Sequence, residues 1–502
     1  MKKIITEQPS LSDLDCLDFN YIDQGIYNGD EVKKNIMGTR FTTVARNTID
    51  YWTVSRNNKK PQSQQEFSQH VQNLKFSQRP IHIYIHIPFC KQKCLFCAFN
   101  KGEDLCTYSY DDYIECLIDQ YNRFLDVFPN KRPIIGSIHI GGGSPNIIGA
   151  ENIRHLISQI KKTSCLDGNN TEISVEFSLP TVDLDFLDAL FDSQVSRISM
   201  GIQTMDSETR KAMKLPPLTS KLNEILYYLN KKIPVINIDL ITGFPEHTLR
   251  KVLKDHAFFI EHPVVNSISS YLLNPAHASG LLQQILYGTI KKLPSHEDSA
   301  LFRLHTILLM RQKGWVRNGT NTYVNPGKII EKNFNIISGR ECIGSFNYDD
   351  CLFALGASSI GSLPGCRFEN IRDPEEWIID IKKGGYGIDL GKTYMEQQND
   401  LALWSFPLNS NGISKKVYNE FIENNAIASQ QDVVFRQLID EGLIYESEDH
   451  YSLTILGEIF MGHIVRLLKN PGERGALDKE IKNLFLSAKN NLGRNFNKEK
   501  IL

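Results

Sequence analysis

The sequence lacks the features that mark a membrane protein or a nucleic-acid-binding protein. No stretch approaches the roughly 18 to 20 consecutive apolar residues that a membrane-spanning helix needs. The first residues, MKKIITEQPSLSDLDCLD, contain no apolar segment of signal-peptide length. The net charge of -2 at pH 7 gives no electrostatic reason to expect nucleic acid or an anionic membrane as a partner. With 41% hydrophobic and 23% charged residues, the composition predicts a globular, cytoplasmic protein.

Cysteine is also scarce, and its distribution is uneven. The chain has 10 cysteines in 502 residues, and thiols stay reduced in the cytosol, which argues against a disulfide framework. Cys90, Cys94 and Cys97 nevertheless fall together in the stretch IHIPFCKQKCLFCAFN. No GxGxxG sequence follows the strand predicted before this stretch, which argues against a dinucleotide-binding domain.

Strand-like and helix-like segments alternate between residues 81 and 273. Six segments rich in β-branched residues, from IHIYIHIP to VNSISSYLL, are predicted strands. Segments with helical periodicity lie between them, for example SYDDYIECLIDQYNRFLDVF. Repeated βα units predict a parallel sheet. The expected fold class is therefore α/β, as a full or partial (β/α) barrel of about six parallel strands.

The predicted organisation has five parts, which suits a chain of this length. An N-terminal accessory arm covers residues 1–78, and the barrel core covers residues 79–280. Residues 281–400 are expected to complete the barrel and cover the substrate. A smaller α+β, winged-helix-like lobe covers residues 401–468, and a basic tail covers residues 469–502.

Polar or metal-binding residues follow or end five consecutive predicted strands. These positions hold Cys90, the GGGSP turn at 141–145, Glu176, Gln203 and Asp239. In (β/α) barrels, catalytic residues gather at the carboxyl ends of the strands. The pattern therefore predicts a functional site at this end of the barrel.

The clustered cysteines indicate an iron–sulfur site. A structural zinc ion normally has four protein ligands, and a [4Fe–4S] cluster is usually held by four thiolates. Three thiolates in a CxxxCxxC spacing would leave one iron open, and an open coordination position is where a substrate can bind and react. The alternatives are a zinc knuckle completed by His86, which lies awkwardly within a strand, or three unrelated core thiols.

These motifs resemble the radical S-adenosylmethionine superfamily, in which CxxxCxxC follows a strand and an aromatic residue, here Phe96, precedes the last cysteine. Over residues 80–460 the chain is similar to the oxygen-independent coproporphyrinogen III oxidase family. The segments that carry this resemblance are YIHIPFC, HIGGGSP, VEFSLPTVD, RISMGIQT, INIDLITGFP and LFALGASSIGS.

The resemblance implies a set of ligands, with no catalytic residue assigned beyond the cluster and the cofactor. Cys90, Cys94 and Cys97 would bind three irons of a [4Fe–4S] cluster, and the fourth iron would chelate S-adenosylmethionine. Members of the family can hold two S-adenosylmethionines. The matching positions are Tyr84, Gly142 and Glu176 for the first, and Phe96, Gly143, Ser144, Gln203 and Asp239 for the second, with Lys214 near the place of a family arginine.

The residue types suit these roles. Glycines let backbone N–H groups approach a ligand closely. Glu176 and Asp239 can accept hydrogen bonds from an ammonium group or from ribose hydroxyls, and Phe96 offers a flat face for an adenine. Taken singly, each is more often a flexible turn, a satisfied polar group or a helix cap.

The chain also departs from these relatives. Coproporphyrinogen oxidases have a further cysteine where this chain has Ala98-Phe99, and lysine at position 214 cannot reproduce a planar guanidinium fork. The heme-binding motif of the related chaperones is absent, since NPAHASGLL contains only His277. The CAFN segment resembles instead the class C methyltransferases and the anaerobic heme-opening methyltransferases.

The resemblance therefore implies an enzyme that transfers a methyl or methylene group to an sp2 carbon of a planar, unsaturated small molecule. The substrate could be a tetrapyrrole, a quinone or a heteroaromatic ring, and the electron donor would be an external protein such as flavodoxin or ferredoxin. The alternatives are an oxidative decarboxylase of the coproporphyrinogen III oxidase type and a heme-binding chaperone.

Overall fold

A computed structural model of the chain describes most of the residues between 60 and 459. The described ranges are 60–73, 81–97, 107–126, 133–166, 171–218, 221–273, 280–290, 293–294, 296–319, 321–330, 351–363, 366–395, 412–424, 428–440 and 442–459, with residues 461, 464 and 468. Residues 1–59, Ala98-Phe99, His277 and the tail from residue 469 lie outside these ranges, so the predictions made for them stay predictions. Within these ranges, no helix is long and apolar enough to cross a bilayer.

A 13-stranded sheet forms the body of the molecule. Its strands are β1 (Ile81–Ile87), β2 (Ile134–Gly142), β3 (Cys165–Leu166), β4 (Glu172–Phe177), β5 (Arg197–Gln203), β6 (Val235–Thr242), β7 (Ser267–Leu272), β8 (Val316–Arg317), β9 (Thr322–Val324), β10 (Leu352–Leu355), β11 (Ile360–Leu363), β12 (Cys366–Glu369) and β13 (Tyr394–Met395).

The strands are ordered β13-β12-β11-β10-β1-β2-β4-β5-β6-β7-β9-β8, and β3 pairs with β2. The strands from β10 to β7 in this order pair in parallel, and the flanking strands pair antiparallel. The α/β class and the predicted core of six parallel strands are therefore confirmed, and β10 adds a seventh parallel strand beside β1. The order is linear, as in a partial barrel.

Helices connect the parallel strands and cover one face of the sheet. The helices are α1 (Gln64–Gln72), α2 (Tyr110–Leu125), α3 (Gly149–Thr163), α4 (Leu184–Asp192), α5 (Ser207–Ala212), α6 (Leu222–Leu229), α7 (Leu249–Glu261), α8 (Gly280–Leu286), α9 (His296–Gln312), α10 (Pro326–Ile330), α11 (Pro374–Lys382), α12 (Lys415–Asn424), α13 (Ala428–Asp440) and α14 (Ile455–Ile459).

Side-chain alternation explains why the sheet separates an apolar face from a polar one. In β1, Ile83 and Ile85 are fully buried in the main hydrophobic core, which also contains residues of the helices. The intervening residues His82, Tyr84 and His86 point to the opposite, inner face because successive side chains of a strand alternate. The helices cover the first face, so the inner face is where polar groups meet.

Two peripheral regions are attached to this body. Helix α1 places Phe67 in the main core, edge-on to Phe368 of β12 with the ring centroids 5.8 Å apart. Near the C-terminus, the strands β14 (Ile413–Ser414), β15 (Ile444–Glu446) and β16 (His450–Leu453) form a separate antiparallel sheet beside α12, α13 and α14. The second region has the α+β content expected of the predicted C-terminal lobe.

Candidate functional site

The inner face of the sheet is lined with polar side chains at alternate positions of neighbouring strands. Strand register places Tyr84 opposite His139, and Gly201 opposite Asp239. Because these strands are parallel, their carboxyl ends lie at the same edge of the sheet. Gly142 and Gln203 are the last residues of β2 and β5, and Glu176 is one residue from the end of β4. Gly142, Glu176 and Gln203 are therefore gathered at one rim, whereas Asp239, also predicted at a strand end, lies three residues before the end of β6.

The cysteine loop, residues 88–97, follows β1 directly at this rim. Cys90 Sγ lies 3.4 Å from Ser144 Oγ of the loop after β2, and the N–H of Cys97 donates to the carbonyl of Cys94 at 3.2 Å. Burial raises the pKa of the Cys90 thiol to about 11 and that of Cys94 to about 12. Thiols in such surroundings stay protonated until a metal displaces the proton.

The arrangement does not suit a single metal ion. Among the described residues, no group of three or more histidine, cysteine, aspartate or glutamate side chains is positioned to hold one. His86 lies within β1, and its Nδ1 is 2.7 Å from the hydroxyl of Tyr84. This geometry gives no support to the zinc-knuckle alternative, whereas three thiols on an open loop fit a larger cluster.

A small hydrophobic cluster, separate from the main core, supports the cysteine loop. We call it the loop-support cluster; its buried members are Leu95, Met213, Leu215, Phe244, Leu273, Leu281 and Ile285, and Cys94 and Phe96 pack against it. The N–H of Leu95 donates to Met213 O at 2.9 Å, and Gln92 Nε2 donates to Lys214 O at 3.0 Å. The loop is thus attached to the turn at residues 213–215 by apolar contacts and two hydrogen bonds.

The glycine turn after β2 lies close beneath the cysteine loop. The N–H of Gly143 donates to Ile87 O at 2.7 Å, and that of Ser144 donates to Phe89 O at 2.8 Å. A Cβ atom on residue 143 would lie 2.3 Å from Phe89 O, and Gly142 has a φ of +115°. Glycine is therefore required at both positions, for close approach and for backbone conformation respectively.

Glu176 lies beside this turn, and its carboxylate has hydrogen-bond partners on both oxygens. Its Oε2 accepts a hydrogen bond from the N–H of Gly142 at 3.1 Å, and its Oε1 lies 3.1 Å from Nε2 of His139. Burial would raise the pKa of Glu176, but the hydrogen bonds from His139 and Gly142 outweigh burial and hold it below its ordinary value. The group is therefore an ionised carboxylate at neutral pH.

His86 lies next to Glu176 with an unpaired nitrogen. Its side chain is buried, and its Nε2 has no hydrogen-bond partner within the described ranges. Burial lowers the pKa of His86 to about 4, against the opposing effect of Glu176. The neutral imidazole therefore presents a buried polar atom that a bound molecule can satisfy.

Asp239 occupies the opposite part of the rim. It accepts hydrogen bonds from Ser199 Oγ at 2.7 Å and from Asn237 Nδ2 at 2.9 Å. Burial, with a further contribution from the charge of Glu176, raises the pKa of Asp239 to about 6. The electrostatic influence of Glu176 on Asp239 means that the two carboxyl groups face one interior.

The remaining predicted site residues differ in how they are placed. Gln203 ends β5 at an irregularity in strand register and has a φ of +69°, which is unusual for a residue with a side chain. Phe96 packs against Phe244 with the ring centroids 5.4 Å apart. Lys214 is exposed, and the contact that it makes with the cysteine loop is through its carbonyl group.

Sequence reasoning missed Arg210. This residue connects the end of β5 to the turn at residues 213–216, which packs against the cysteine loop. Its guanidinium, 6% exposed, donates to the carbonyls of Ile202 at 2.6 Å, Thr204 at 2.7 Å and Pro216 at 3.0 Å. Its charge also lowers the pKa of Cys94, against the larger effect of burial. The segment DSETRKAMK reads as an exposed helix, so nothing local identifies this arginine.

His139 and Tyr271 were also missed. Tyr271, which is 41% exposed, lies near the carboxyl end of β7, opposite Ile241 of β6. The period-two pattern of β2 and β7, which puts His139 and Tyr271 on the inner face, is the signal that could have identified both.

Comparison with known proteins agrees with this geometry. Residues 84–259 match the family described as Radical SAM superfamily. The solved structure of coproporphyrinogen III oxidase from Escherichia coli, a radical SAM enzyme, superposes with a TM-score of 0.67 at 19% identity, covering 84% of this chain and 97% of that chain. The likeness establishes the fold.

Curated relatives extend over most of the chain. The heme chaperone HemW of Haemophilus influenzae is 26% identical over 416 residues, which are 77% of this chain and 97% of the relative. The oxygen-independent coproporphyrinogen III oxidase of Salmonella typhimurium is 23% identical over 421 residues, which are 80% of this chain and 89% of the relative.

Neither relative is a methyltransferase, so the comparisons favour the alternatives of our sequence interpretation over methyl transfer. The radical SAM fold implies a [4Fe–4S] cluster and S-adenosylmethionine, and the three thiols, the glycine turn and the unpaired nitrogen of His86 fit those groups. Residues 84–259 form a radical SAM domain, and over most of its length the chain is similar to the coproporphyrinogen III oxidase-like family.

Proposed function

We propose that Cys90, Cys94 and Cys97 hold the [4Fe–4S] cluster of this radical SAM enzyme and that its substrate is a tetrapyrrole. The observation that carries the proposal is the position of the three thiols, on a loop at the rim of a polar-lined sheet and in contact with Ser144 of the glycine turn. The cluster, when bound and reduced, supplies the electron that cleaves S-adenosylmethionine to methionine and a 5'-deoxyadenosyl radical.

The residues around the glycine turn are suited to the first S-adenosylmethionine. The glycine turn packs directly against the cysteine loop, because a Cβ atom on residue 143 would clash with Phe89 O, and this close packing brings Ser144 to Cys90. The ionised carboxylate of Glu176 is an acceptor for an ammonium group or for ribose hydroxyls. The neutral imidazole of His86 has an unpaired Nε2 that can receive or donate a hydrogen bond at the same place.

Gln203 and Asp239, on the other side of the rim, are proposed to contact a second S-adenosylmethionine. Asp239 titrates near pH 6, so it is mainly ionised at neutral pH and can accept hydrogen bonds. The positive φ of Gln203 is a conformation that proteins retain mainly where the surrounding structure or a ligand requires it.

The proposed substrate class comes from the relatives. One is named as a heme chaperone and the other as a coproporphyrinogen III oxidase, so both recognise tetrapyrroles. The inner face of the sheet carries aromatic and polar side chains, such as Tyr84 and His139, and the glycine at 201, which suits a planar ring. Exclusion of water from this interior would protect a primary carbon radical.

Methyl transfer to such a ring is the second candidate. It is favoured by one observation, the Ala98-Phe99 pair at the position where coproporphyrinogen oxidases have a further cysteine. In this reaction the second S-adenosylmethionine, held by Gln203 and Asp239, would supply the transferred carbon and leave as S-adenosylhomocysteine.

Anaerobic reconstitution with iron and sulfide, reduction with dithionite and analysis of products test both candidates. With coproporphyrinogen III or heme as substrate, we expect 5'-deoxyadenosine in every active reaction. Carbon dioxide without S-adenosylhomocysteine supports decarboxylation, and S-adenosylhomocysteine with a methylated ring supports methyl transfer. Colourless protein without a four-iron signal in Mössbauer spectra would refute the proposed function.

Gln203→Ala tests the placement of the second cofactor within the same assay. If methyl transfer occurs, this substitution should reduce S-adenosylhomocysteine formation more than uncoupled 5'-deoxyadenosine formation. An equal loss of both products would contradict the placement of the second S-adenosylmethionine at Gln203.

A further inference from the structure

Four exposed lysines surround the outer side of the cysteine loop. Lys91 and Lys93 lie between the cysteines of the loop, and Lys211 and Lys214 lie on and after α5. The two segments are in contact, since Leu95 and Gln92 both donate hydrogen bonds to the turn that contains Lys214. We call these four residues the lysine face.

The lysine face keeps most of its positive charge in the part of the chain that the structure describes. None of its four side chains forms an ion pair there. Two acidic residues precede the lysines of α5: Asp206 is paired with Lys251 at 3.1 Å, and Glu208, which is exposed and 3.8 Å from the same Lys251, offsets one of the four lysine charges. In a chain with a net charge of -2, the lysine face is therefore a local concentration of positive charge.

The buried Arg210 lies beneath this surface, with its charge partly offset by the nearby carboxyl group of Asp255. Its guanidinium is occupied by three backbone carbonyls, so no acidic side chain is needed to hold it in place. A positive field with several contributors attracts negatively charged partners and raises the rate of their association.

The cysteine loop has an inner side, which faces the proposed cofactor and substrate site, and an outer side, which faces solvent. Cys90 contacts Ser144 on the inner side, where S-adenosylmethionine and the substrate have to bind for radical chemistry. Lys91 and Lys93 are on the solvent side of the same loop. A molecule bound to the lysine face is separated from the substrate interior by the loop itself, so it can deliver an electron but cannot react with the radical.

We propose that the lysine face is the docking surface for an acidic, one-electron donor protein. The proposal rests on the proposed function, because the electron passes from the donor to the cluster that the loop would hold. In this step the donor, a protein with a reduced flavin or iron–sulfur centre, is oxidised by one electron and the cluster is reduced by one, with no bond formed or broken. A protein surface matches the area of the four lysines better than a small anion does.

The test compares two triple charge reversals that change net charge equally. One variant carries Lys91→Glu, Lys93→Glu and Lys211→Glu. The control carries Lys162→Glu, Lys383→Glu and Lys416→Glu, all exposed positions away from the cysteine loop. Lys214 is left unchanged because it is also a candidate cofactor-binding residue.

The first measurement is the affinity of an acidic flavodoxin for the reconstituted protein, by titration calorimetry. We expect the lysine-face variant to bind flavodoxin about tenfold or more weakly, because the charges at the interface become repulsive. The control should bind within about twofold of the unchanged protein. The difference should disappear in about 1 M salt, where the Debye length is about 3 Å. A Lys91→Gln, Lys93→Gln, Lys211→Gln variant should show an intermediate loss.

The second measurement separates docking from cluster chemistry. Dithionite needs no protein interface, so the paramagnetic resonance signal of the dithionite-reduced cluster should be the same in all variants. The rate of reduction by flavodoxin should fall only in the lysine-face variant.

Equal losses of flavodoxin affinity in the lysine-face variant and the control would overturn the docking surface while leaving the proposed function intact. Unchanged affinity for flavodoxin with lost affinity for a porphyrin carboxylate would assign the lysines to substrate binding, which also overturns it. A protein that binds no cluster even with dithionite would refute the proposed function and, with it, the docking proposal.

Discussion

Two residues of the inner face, Asn237 and His86, differ in how fully their polar groups are paired. Asn237 lies in the amino-terminal half of its strand, which we call the lower level, and His86 lies near the carboxyl end of its strand, at the rim. At the lower level, Asn237 donates to Ser199 and Asp239 and accepts from the hydroxyls of Ser267 and Ser269, so its amide is saturated. At the rim, His86 keeps a buried nitrogen without a hydrogen-bond partner in the described ranges.

This difference distinguishes residues that stabilise the fold from residues that await a ligand. An unpaired buried polar group costs about 1–3 kcal/mol of stability. Both levels retain such an atom among the described residues, His86 Nε2 at the rim and Ser174 Oγ at the lower level. The rim adds a raised aspartate pKa and a glutamine of positive φ, whereas Asn237 at the lower level is fully paired. Substitutions at the two levels should therefore affect different properties.

The largest effect is expected at the rim for Cys94→Ala. The substitution removes one proposed cluster ligand, so iron content and 5'-deoxyadenosine formation should fall to background. The melting temperature of the protein without cluster should change little, because Leu95 and the rest of the loop-support cluster still hold the loop. Any remaining 5'-deoxyadenosine formation would contradict the assignment of the cluster to this loop.

The next effect compares two glutamates on one strand and one face, Glu176 at the rim and Glu172 at the lower level. Glu176→Gln should weaken binding of S-adenosylmethionine about 10- to 100-fold, the loss expected for a hydrogen bond to a charged group. Glu172→Gln, the matched control, should leave that affinity unchanged and affect only stability. Calorimetric titration with S-adenosylmethionine measures both, and equal affinities for the two variants would remove the distinction between the levels.

The third effect concerns stability rather than cofactor binding: Asp239→Asn should stabilise the protein, and this stabilisation should depend on pH. Burial raises the pKa of Asp239 from its ordinary value of 3.8 to about 6, so the folded protein binds the proton more tightly than the unfolded chain does. The free energy of unfolding should therefore fall as the pH rises through this interval, and the full destabilisation is present above it. Asparagine removes the ionisable group, so the variant should be up to about 3 kcal/mol more stable at neutral pH.

Urea denaturation at several pH values measures this effect. The stabilisation by Asp239→Asn should vanish near the ordinary pKa of aspartate, where the carboxyl group is protonated in both states. A stabilisation that does not vary with pH would mean that the charge of Asp239 is not its origin. Binding of the second cofactor should weaken in the same variant.

The smallest effect is expected at the lower level, for Ser267→Ala. The hydroxyl of Ser267 donates to Asn237 at 2.7 Å in a fully buried position, so its removal should cost about 1 kcal/mol of unfolding free energy. Affinity for S-adenosylmethionine should not change. A loss of that affinity comparable to the loss in Glu176→Gln would show that the two levels act as one network.

The parallel core and its rim could be predicted because both depend on local pattern. Alternation in IHIYIHI and the apolar spacing of the helices identify the elements, and the order of elements then places strand ends together. The spacing of Cys90, Cys94 and Cys97 identifies the loop by itself. Each of these signals lies within a few consecutive residues.

The unpredicted parts depend on contacts between distant segments. Arg210 acts through carbonyls before and after α5, and the engagement of Lys214 comes from its backbone rather than its side chain. The attachment of α1 through Phe67 joins residues more than 300 positions apart. The residue pattern of a single segment does not reveal such contacts, because they depend on which distant segments pack together in the folded chain.

The loop-support cluster also bears on repair after exposure to oxygen. Its apolar contacts and backbone hydrogen bonds involve no metal, and they hold the loop at Cys94, Leu95 and Phe96. We therefore expect a lost cofactor to be rebuilt on the folded chain by iron and sulfide delivery.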